Sequence, residues 1–106
     1  MINFDHFKAM DLRIAKVTNV EVHPDADKLY VVTIDTGDGT KKAVAGLKEH
    51  YSPEELMGRV VVFLNNLEPA TIRGVLSEGM ILATKDQGKL SILIPEKEVA
   101  VGSPVS

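Results

Sequence analysis

The chain has 106 residues, no cysteine and a formal net charge of −3. This length fits one compact domain, residues 1–106, and the lack of cysteine excludes a disulfide framework, a thiolate metal site and a cysteine nucleophile. The acidic balance argues against a protein that coats itself in phosphate contacts, because Lys and Arg dominate affinity for nucleic acid. The first residues, MINFDHFKAMDLR, carry acids and no long apolar run, so we expect a cytoplasmic protein without a membrane segment.

The first quarter of the chain predicts a short helix followed by a long strand. Asn3 can cap a helix from Phe4 to Met10. From Leu12 to Val22, apolar and polar residues alternate as in a strand, and the slip in alternation around Ala15 to Thr18 indicates a bulge. The sequence HPDADK then ends the strand, because proline and aspartate favour turns.

The middle of the chain predicts a hairpin and a capped helix. LYVVTID and KKAVAGL are strand-like, and TGDGT between them is a hairpin-turn signal. YSPEELMGR then predicts a short helix, with Ser52 as the N-cap, Pro53 in the first turn, Glu55 completing a capping box and Gly58 as terminator.

The last part predicts three more strands, RVVVFLNNL, EGMILATKD and KLSILI, and an extended closing tail, PEKEVAVGSPVS. This order of elements is typical of an all-β, five-stranded OB-fold barrel with a short helix between strands 3 and 4 and short N- and C-terminal additions. The fold often binds oligonucleotides, but function has to come from its sites.

Catalytic signals are weak throughout the sequence. His6, His23 and His50 lie in different segments, and none has a metal-ligand spacing. The glycines of TGDGT and RGVLSEG lack the strand-loop-helix context of a phosphate cradle. We therefore expect no enzyme activity, no cofactor and no metal site.

A polar segment from Asn65 to Met80 lies between two apolar strands and carries most of the candidate binding residues. In it a guanidinium stands beside a glycine that permits close backbone approach, and Asn and Ser side chains can bond a nucleotide edge or a ribose hydroxyl. Glu78 could accept a hydrogen bond from a base amine or pair with Arg73. Met80 could stack under a base or fill the core. Lys28 in HPDADKL could contact phosphate or be a solvated turn residue. The candidate RNA-binding residues are Lys28, Asn66, Arg73, Ser77, Glu78 and Met80.

Few aromatic residues are available for stacking, since the chain has 3 Phe, 2 Tyr and no Trp. A general platform for single strands needs exposed aromatics, so recognition of a folded RNA by shape, phosphates and a few unstacked bases fits better.

Four segments in this order, DLRIAKV, HPDADKL, YSPEELMGR and NNLEPATIRGVLSEGMILA, resemble the tRNA-binding domain family. The resemblance extends from about Phe4 to Val105. It implies an OB fold and non-catalytic binding of tRNA by its shape, through the six candidate residues. Arg13 also matches a motif position, and shaping the end of the barrel is an equally open role for it.

The resemblance also implies an assembly. Free-standing members are homodimers whose interface uses the segments that correspond to residues 1–10 and 95–106, and other members are an auxiliary beta subunit or extension of a methionyl-tRNA synthetase. Related sequences usually carry basic residues where Glu68 and Thr71 stand, so we expect weaker or altered RNA binding. Two alternatives stay open: a secretion-chaperone-like dimer that binds peptides in an apolar groove, and a subunit that mainly docks a synthetase catalytic chain.

Overall fold

The computed structural model describes residues 1–106 and contains two short helices and nine strands. The helices are α1 (Phe4–Lys8) and α2 (Pro53–Leu56). The strands are β1 (Leu12–Val22), β2 (Tyr30–Asp35), β3 (Thr40–Ala45), β4 (Val60–Leu64), β5 (Ala70–Ile72), β6 (Val75–Ser77), β7 (Met80–Ile81), β8 (Ala83–Asp86) and β9 (Lys89–Ile92).

The long strand β1 organises an antiparallel sheet in the order β3-β2-β1-β4-β7. Its first half pairs with β4 and its second half with β2, and the two pairings meet at Lys16. The register with β2 shifts between Val17 and Asn19, so the predicted bulge is confirmed. Because a bulge bends a strand, one strand can serve both neighbours in a curved sheet.

Side chains help to close this sheet into a barrel. The edge strand β3 meets the segment after β6, where the Glu78 N–H donates to the Lys42 carbonyl (2.8 Å). The Glu78 carboxylate accepts the Lys42 N–H (3.1 Å), and the Ser77 hydroxyl accepts the Val44 N–H (3.0 Å). The edge of β3 is therefore bonded, and the predicted all-β, five-stranded OB barrel is confirmed.

The core fills the barrel from alternate positions of its strands. Ile34 of β2, Val61 and Phe63 of β4 and Leu56 of α2 are all fully buried. Gly79 lies directly against this core, since a Cβ added there would be 2.2 Å from the Phe63 Cζ and 2.7 Å from the Leu64 carbonyl oxygen. Only glycine fits at this position without movement of its neighbours.

Both helices begin at the predicted caps. The Asn3 side chain accepts the His6 N–H, and Ser52 and Glu55 form the complete capping box. α1 ends at Lys8 instead of Met10, because the last turn tightens: the Met10 N–H bonds the Phe7 carbonyl rather than continuing the helical pattern. Neither helix has the length or apolar character required to span a membrane.

The C-terminal tail lies along the first half of β1, but it is not extended throughout as predicted, because it turns between Ala100 and Ser103, where the Ser103 N–H bonds the Ala100 carbonyl (3.1 Å). The Gly102 N–H donates to the Ile14 carbonyl (2.7 Å), and the Val105 N–H donates to the Leu12 carbonyl (2.8 Å). The tail thus takes the side of β1 that β2 leaves free.

Two further differences from the sequence prediction concern the strands. The polar segment after β4 contains the β5–β6 hairpin instead of a plain loop. The predicted strand EGMILATKD divides at Leu82, whose N–H donates to Val62 while its carbonyl accepts from Leu93. β7 therefore belongs to the barrel sheet, whereas β8 pairs only with β9.

Candidate nucleic-acid interface

Two connections meet at one end of the barrel: residues 23–29 between β1 and β2, and the β5–β6 hairpin after β4. They are bonded to each other, since a ring nitrogen of His23 lies 3.0 Å from the Ile72 carbonyl oxygen and the Arg73 Nη1 lies 3.4 Å from the Asp25 carbonyl oxygen. In an OB fold, the loops in these two positions flank the nucleic-acid-binding face.

A cleft of about 360 Å³ separates the two connections, and Lys28 and Arg73 both line it. Asp25 and Asp27 lie on the same wall as Lys28. The structure thus brings together two of the six expected residues although they are distant in the sequence. We call this space the Lys28–Arg73 cleft.

Arg73 lies in the turn of the β5–β6 hairpin. Ile72 pairs with Val75, so Arg73 and Gly74 are the two turn residues, with φ angles of 50° and 86°. Positive φ at both positions is the requirement of a type I′ turn, which usually selects Asn, Asp or Gly. An arginine here occupies an unfavourable backbone conformation and projects its charge from the tip of the hairpin.

The two cations of the cleft have few partners within the chain. Arg73 is exposed, and its single bond to Asp25 is long. The Lys28 side chain is 76% exposed. Its ammonium lies 3.9 Å from a carboxylate oxygen of Glu49, whose side chain is 59% exposed. Exposed ion pairs at this distance contribute little, so both cations can bind an external anion.

Met80 borders a second, apolar groove of about 450 Å³ beside the hairpin. Its side chain is 48% exposed. Most lining residues are apolar, and Glu68 is the one charged residue among them. The apolar lining residues other than Met80 include Val44, Ala45, Leu47, Leu67, Ala70, Ile72, Ile81, Leu82 and Leu90.

The structure places Asn66, Ser77 and Glu78 outside the cleft. The Asn66 amide bonds the backbone of Ala9 and Asp11, which connects the N-terminal helix to the barrel. Ser77 is only 7% exposed, and its hydroxyl accepts from Val44 and lies 3.3 Å from the Gly79 carbonyl oxygen. Since Glu78 bonds β3 in the same way, all three expected contact residues have bonds within the chain.

The sequence left two roles open for Arg13, binding RNA and shaping the end of the barrel. Its contacts in the structure fit the second role. Its guanidinium bonds Asp11, lies 3.2 Å from Asp38 and donates to the Thr36 carbonyl (3.0 Å), with 17% of the side chain exposed. The hydrogen bonds from Arg13 and then from Asn65 hold the pKa of Asp11 below its usual value.

The structure brings together no group of three or more His, Cys, Asp or Glu side chains. His23, however, is a functional candidate that the sequence prediction missed. The sequence shows it only as one residue of a polar turn, whereas the structure buries it between the two connections of the cleft.

Comparison with known proteins agrees with this architecture. The family model described as "Putative tRNA binding domain" matches residues 12–104. The chain belongs to the tRNA-binding domain family. The resemblance seen in the sequence is therefore confirmed over nearly the whole chain.

Similar full-length proteins include methionine–tRNA ligases. Those of Pyrococcus furiosus and Thermococcus kodakarensis are 51% and 49% identical over 104 residues, which are 98% of this chain. The chain spans only 14% of the length of these relatives. It therefore corresponds to the tRNA-binding domain of proteins of this type, not to the complete ligase.

Solved structures of similar size share the whole fold. A MetRS related protein from Pyrococcus horikoshii has 29% identity and a TM-score of 0.92, covering 100% of this chain and 98% of that chain. The chaperone CsaA from Bacillus anthracis has 33% identity and a TM-score of 0.88, covering 100% and 99% of the two chains.

Proposed function

We propose that this tRNA-binding domain binds folded tRNA, without catalysis, in the Lys28–Arg73 cleft. The observation that carries the proposal is the convergence of two exposed, weakly partnered cations between the two loops that flank the binding face of an OB fold. Lys28 acts as a point charge for phosphate, while the planar guanidinium of Arg73 can bind phosphate oxygens in pairs.

Of the remaining four candidate residues, one contacts the RNA and three stabilise the structure around the site. Met80, exposed beside the hairpin, contacts an unstacked base through its flexible thioether side chain. Asn66, Ser77 and Glu78 hold the N-terminal helix and the β3 edge in place, so they support binding without touching the RNA.

The charge of the chain supports a small, local phosphate footprint. The net charge is −3, and Glu68 lies in the groove next to the cleft. Each phosphate contact contributes roughly 0.7–0.9 to the slope of log K against log salt, so the two cations of the cleft account for a slope of only about 1.5.

Exposed apolar residues near the termini support a homodimer that uses residues 1–10 and 95–106. Phe4 and Ile2 are 70% and 67% exposed, and Val99 is also exposed. Phe4, Phe7, Met10 and Val105 border one shared depression, so both terminal segments contribute to a single apolar surface. A second copy of the chain, or a synthetase chain in a larger assembly, can cover it, and the domain would then raise the local tRNA concentration for that partner.

The groove beside Met80 supports peptide binding as a second candidate function. It is mostly apolar, and its volume of about 450 Å³ lies in the range of ligand pockets. Two similar structures are chaperones by name. RNA is the preferred ligand because Arg73 of the cleft lies next to Ile72 of this groove on the same hairpin. An apolar peptide would leave the charge of Arg73 without a partner.

Binding titrations with charge-removing variants test the proposal. Arg73→Asn removes the guanidinium but keeps a residue that suits the type I′ turn, so the hairpin is preserved. Lys28→Ala removes the other charge, and Lys85→Ala, on the separate β8–β9 hairpin, is the control for loss of one exposed lysine.

We expect Arg73→Asn and Lys28→Ala each to weaken tRNA binding by about tenfold or more, since a hydrogen bond to a charged group contributes roughly 1.5–3 kcal/mol. Lys85→Ala should bind like the parent protein. If all three variants bind tRNA equally well, the cleft is not the binding site. If apolar peptides bind and only Met80→Ala weakens them, the second function is correct.

A further inference from the structure

His23 is buried in a part of the chain that is otherwise exposed. Its side chain is only 2% exposed, whereas Val22 before it is 54% exposed and Pro24 after it is also exposed. A polar ring that is withdrawn from water has to find hydrogen-bond partners, because an unpaired buried polar group is costly.

Both ring nitrogens of His23 have partners, and these partners fix the tautomer. The Asp25 N–H donates to Nδ1 over 3.0 Å, so Nδ1 carries no proton. Nε2 therefore carries the proton and donates it to the Ile72 carbonyl, also over 3.0 Å. One bond is local to the connection of residues 23–29, while the other crosses to the β5–β6 hairpin.

The crossing bond ends one residue before Arg73. The Arg73 side chain in turn reaches back to the Asp25 carbonyl, the residue whose N–H is bonded to His23. The imidazole thus joins the two segments that line the Lys28–Arg73 cleft.

Two side-chain hydrogen bonds join the two walls directly, from His23 to the Ile72 carbonyl (3.0 Å) and from Arg73 to the Asp25 carbonyl (3.4 Å). Within residues 23–29, the His23 N–H bonds the Leu29 carbonyl (3.1 Å) and the Leu29 N–H bonds the Ala26 carbonyl (3.4 Å). The β5–β6 hairpin is bonded to β3 at its Ser77 end, but its strands have only three residues each, and its turn at Arg73 lies at the other end. A short bond between the walls is therefore able to set their spacing.

We propose that His23 is a positioning residue for tRNA binding, which fixes the distance between Lys28 and Arg73 without touching the RNA. The inference rests on the function proposed above. Two cations held at a set spacing can bind phosphates with less loss of freedom than two cations on independent loops, so losing the crossing bond weakens binding while both charges remain.

Two variants separate the local bond from the crossing bond. In His23→Asn, the amide oxygen can still accept the Asp25 N–H as in an Asx turn, but the side chain is too short to reach Ile72. In His23→Gln, the amide nitrogen is placed to donate to the Ile72 carbonyl. We expect His23→Asn to weaken tRNA binding by about three- to tenfold and His23→Gln to recover most of that loss.

A double-mutant cycle distinguishes positioning from a general effect on the fold. His23→Asn is measured in the parent protein and in the Lys28→Ala/Arg73→Asn variant. If His23 acts by placing these two cations, its effect disappears when they are absent. An effect of the same size in both backgrounds overturns the inference.

The outcomes also separate this inference from the proposed function. No loss from Lys28→Ala and Arg73→Asn would refute the cleft as the binding site. A loss from those variants without any loss from His23→Asn would refute the positioning role alone.

A measurement on the parent protein covers the case in which the His23 variants do not fold. The ¹⁵N spectrum of the ring reports its tautomer, and we expect a slowly exchanging proton on Nε2 and none on Nδ1. A neutral ring with its proton on Nδ1 could not donate from Nε2 to the Ile72 carbonyl, and this result would overturn the inference.

Discussion

Ser77 and Arg73 lie on the same short hairpin, yet the structure gives them different roles because their hydrogen-bonding capacity is used differently. The Ser77 hydroxyl bonds the edge of β3 and is buried, whereas the Arg73 guanidinium has one long bond and is exposed. The sequence places both in a polar segment. The sequence cannot show which of the two faces β3, because β3 becomes a neighbour of the hairpin only when the barrel closes.

Replacing Ser77 by Ala tests this difference directly. The change leaves the partly buried Val44 N–H without its acceptor, so the free energy of unfolding should fall by about 1–3 kcal/mol, as measured by urea denaturation. The affinity of the folded variant for tRNA should stay within about twofold of the parent value, because the Ser77 side chain is buried and its hydroxyl is bonded within the chain.

Ser91→Ala is the control, since Ser91 is exposed and its hydroxyl is close only to the neighbouring Ile92 carbonyl. An Ser77→Ala protein of normal stability that binds tRNA much more weakly would show that Ser77 contacts RNA after all.

Asp11 gives the barrel end a dependence on pH. Its pKa is lowered in the folded protein, first by the hydrogen bond from Arg13 and then by that from Asn65. The unfolded chain therefore takes up this proton at a higher pH than the folded chain does. The resulting stability is complete above the usual Asp value of about 4 and is lost as pH falls through the lower folded value.

Denaturation of the parent protein and of Asp11→Asn at pH 7 and at pH 3 measures this contribution. We expect the parent to lose more stability between the two pH values than the variant, which has no proton to take up. Equal losses would mean that the bonds between Asp11 and Arg13 contribute nothing to stability.

Among the elements, those whose signals are local in sequence could be predicted best. The helix α2 carries its capping box in adjacent residues, and Gln87-Gly88 has the glycine of a hairpin turn. The β5–β6 hairpin was missed because β5 follows a proline and, at three residues, is too short for alternation to show, and because an arginine stands at a turn position that usually selects Asn or Gly.

Gly79→Ala is expected to disturb the junction of β6, β7 and the core. The new methyl group would overlap the Phe63 ring and the Leu64 carbonyl, so the fold has to shift at a cost of about 1–3 kcal/mol or more. A thermal or urea transition measures the loss of stability.

Gly46→Ala is a matched control, since the nearest atom to its added Cβ is the Leu29 Cδ2 at 3.9 Å. If the two alanine variants are equally stable, the close contact of Gly79 with the core does not hold.

For the whole molecule, the strand order along the chain was enough to predict the barrel, because an OB fold has few alternatives with this pattern. The site was predicted only in part. Lys28 and Arg73 could be named from their chemistry, but their shared cleft and the buried bridge of His23 depend on contacts between distant segments. No pattern in a single sequence reports such contacts.

The apolar surface of the terminal segments predicts the oligomeric state of the protein in solution. We expect the chain to sediment as a dimer and Phe4→Asp to shift it towards the monomer, since a charge would be placed on the apolar surface of residues 1–10 and 95–106. Met57→Asp, at another exposed apolar residue, should remain dimeric. A monomeric parent protein, or a dimer that tolerates Phe4→Asp, would contradict this interface.

The most direct test of the central claim is a titration of folded tRNA, and of the same tRNA held unfolded, against the parent protein and Lys28→Ala/Arg73→Asn at two salt concentrations. We predict that the parent prefers the folded RNA and that the double variant loses this affinity together with roughly 1.5 of the salt slope. Equal binding of both RNA forms by the parent, or an unchanged affinity of the double variant for folded tRNA, would contradict the account.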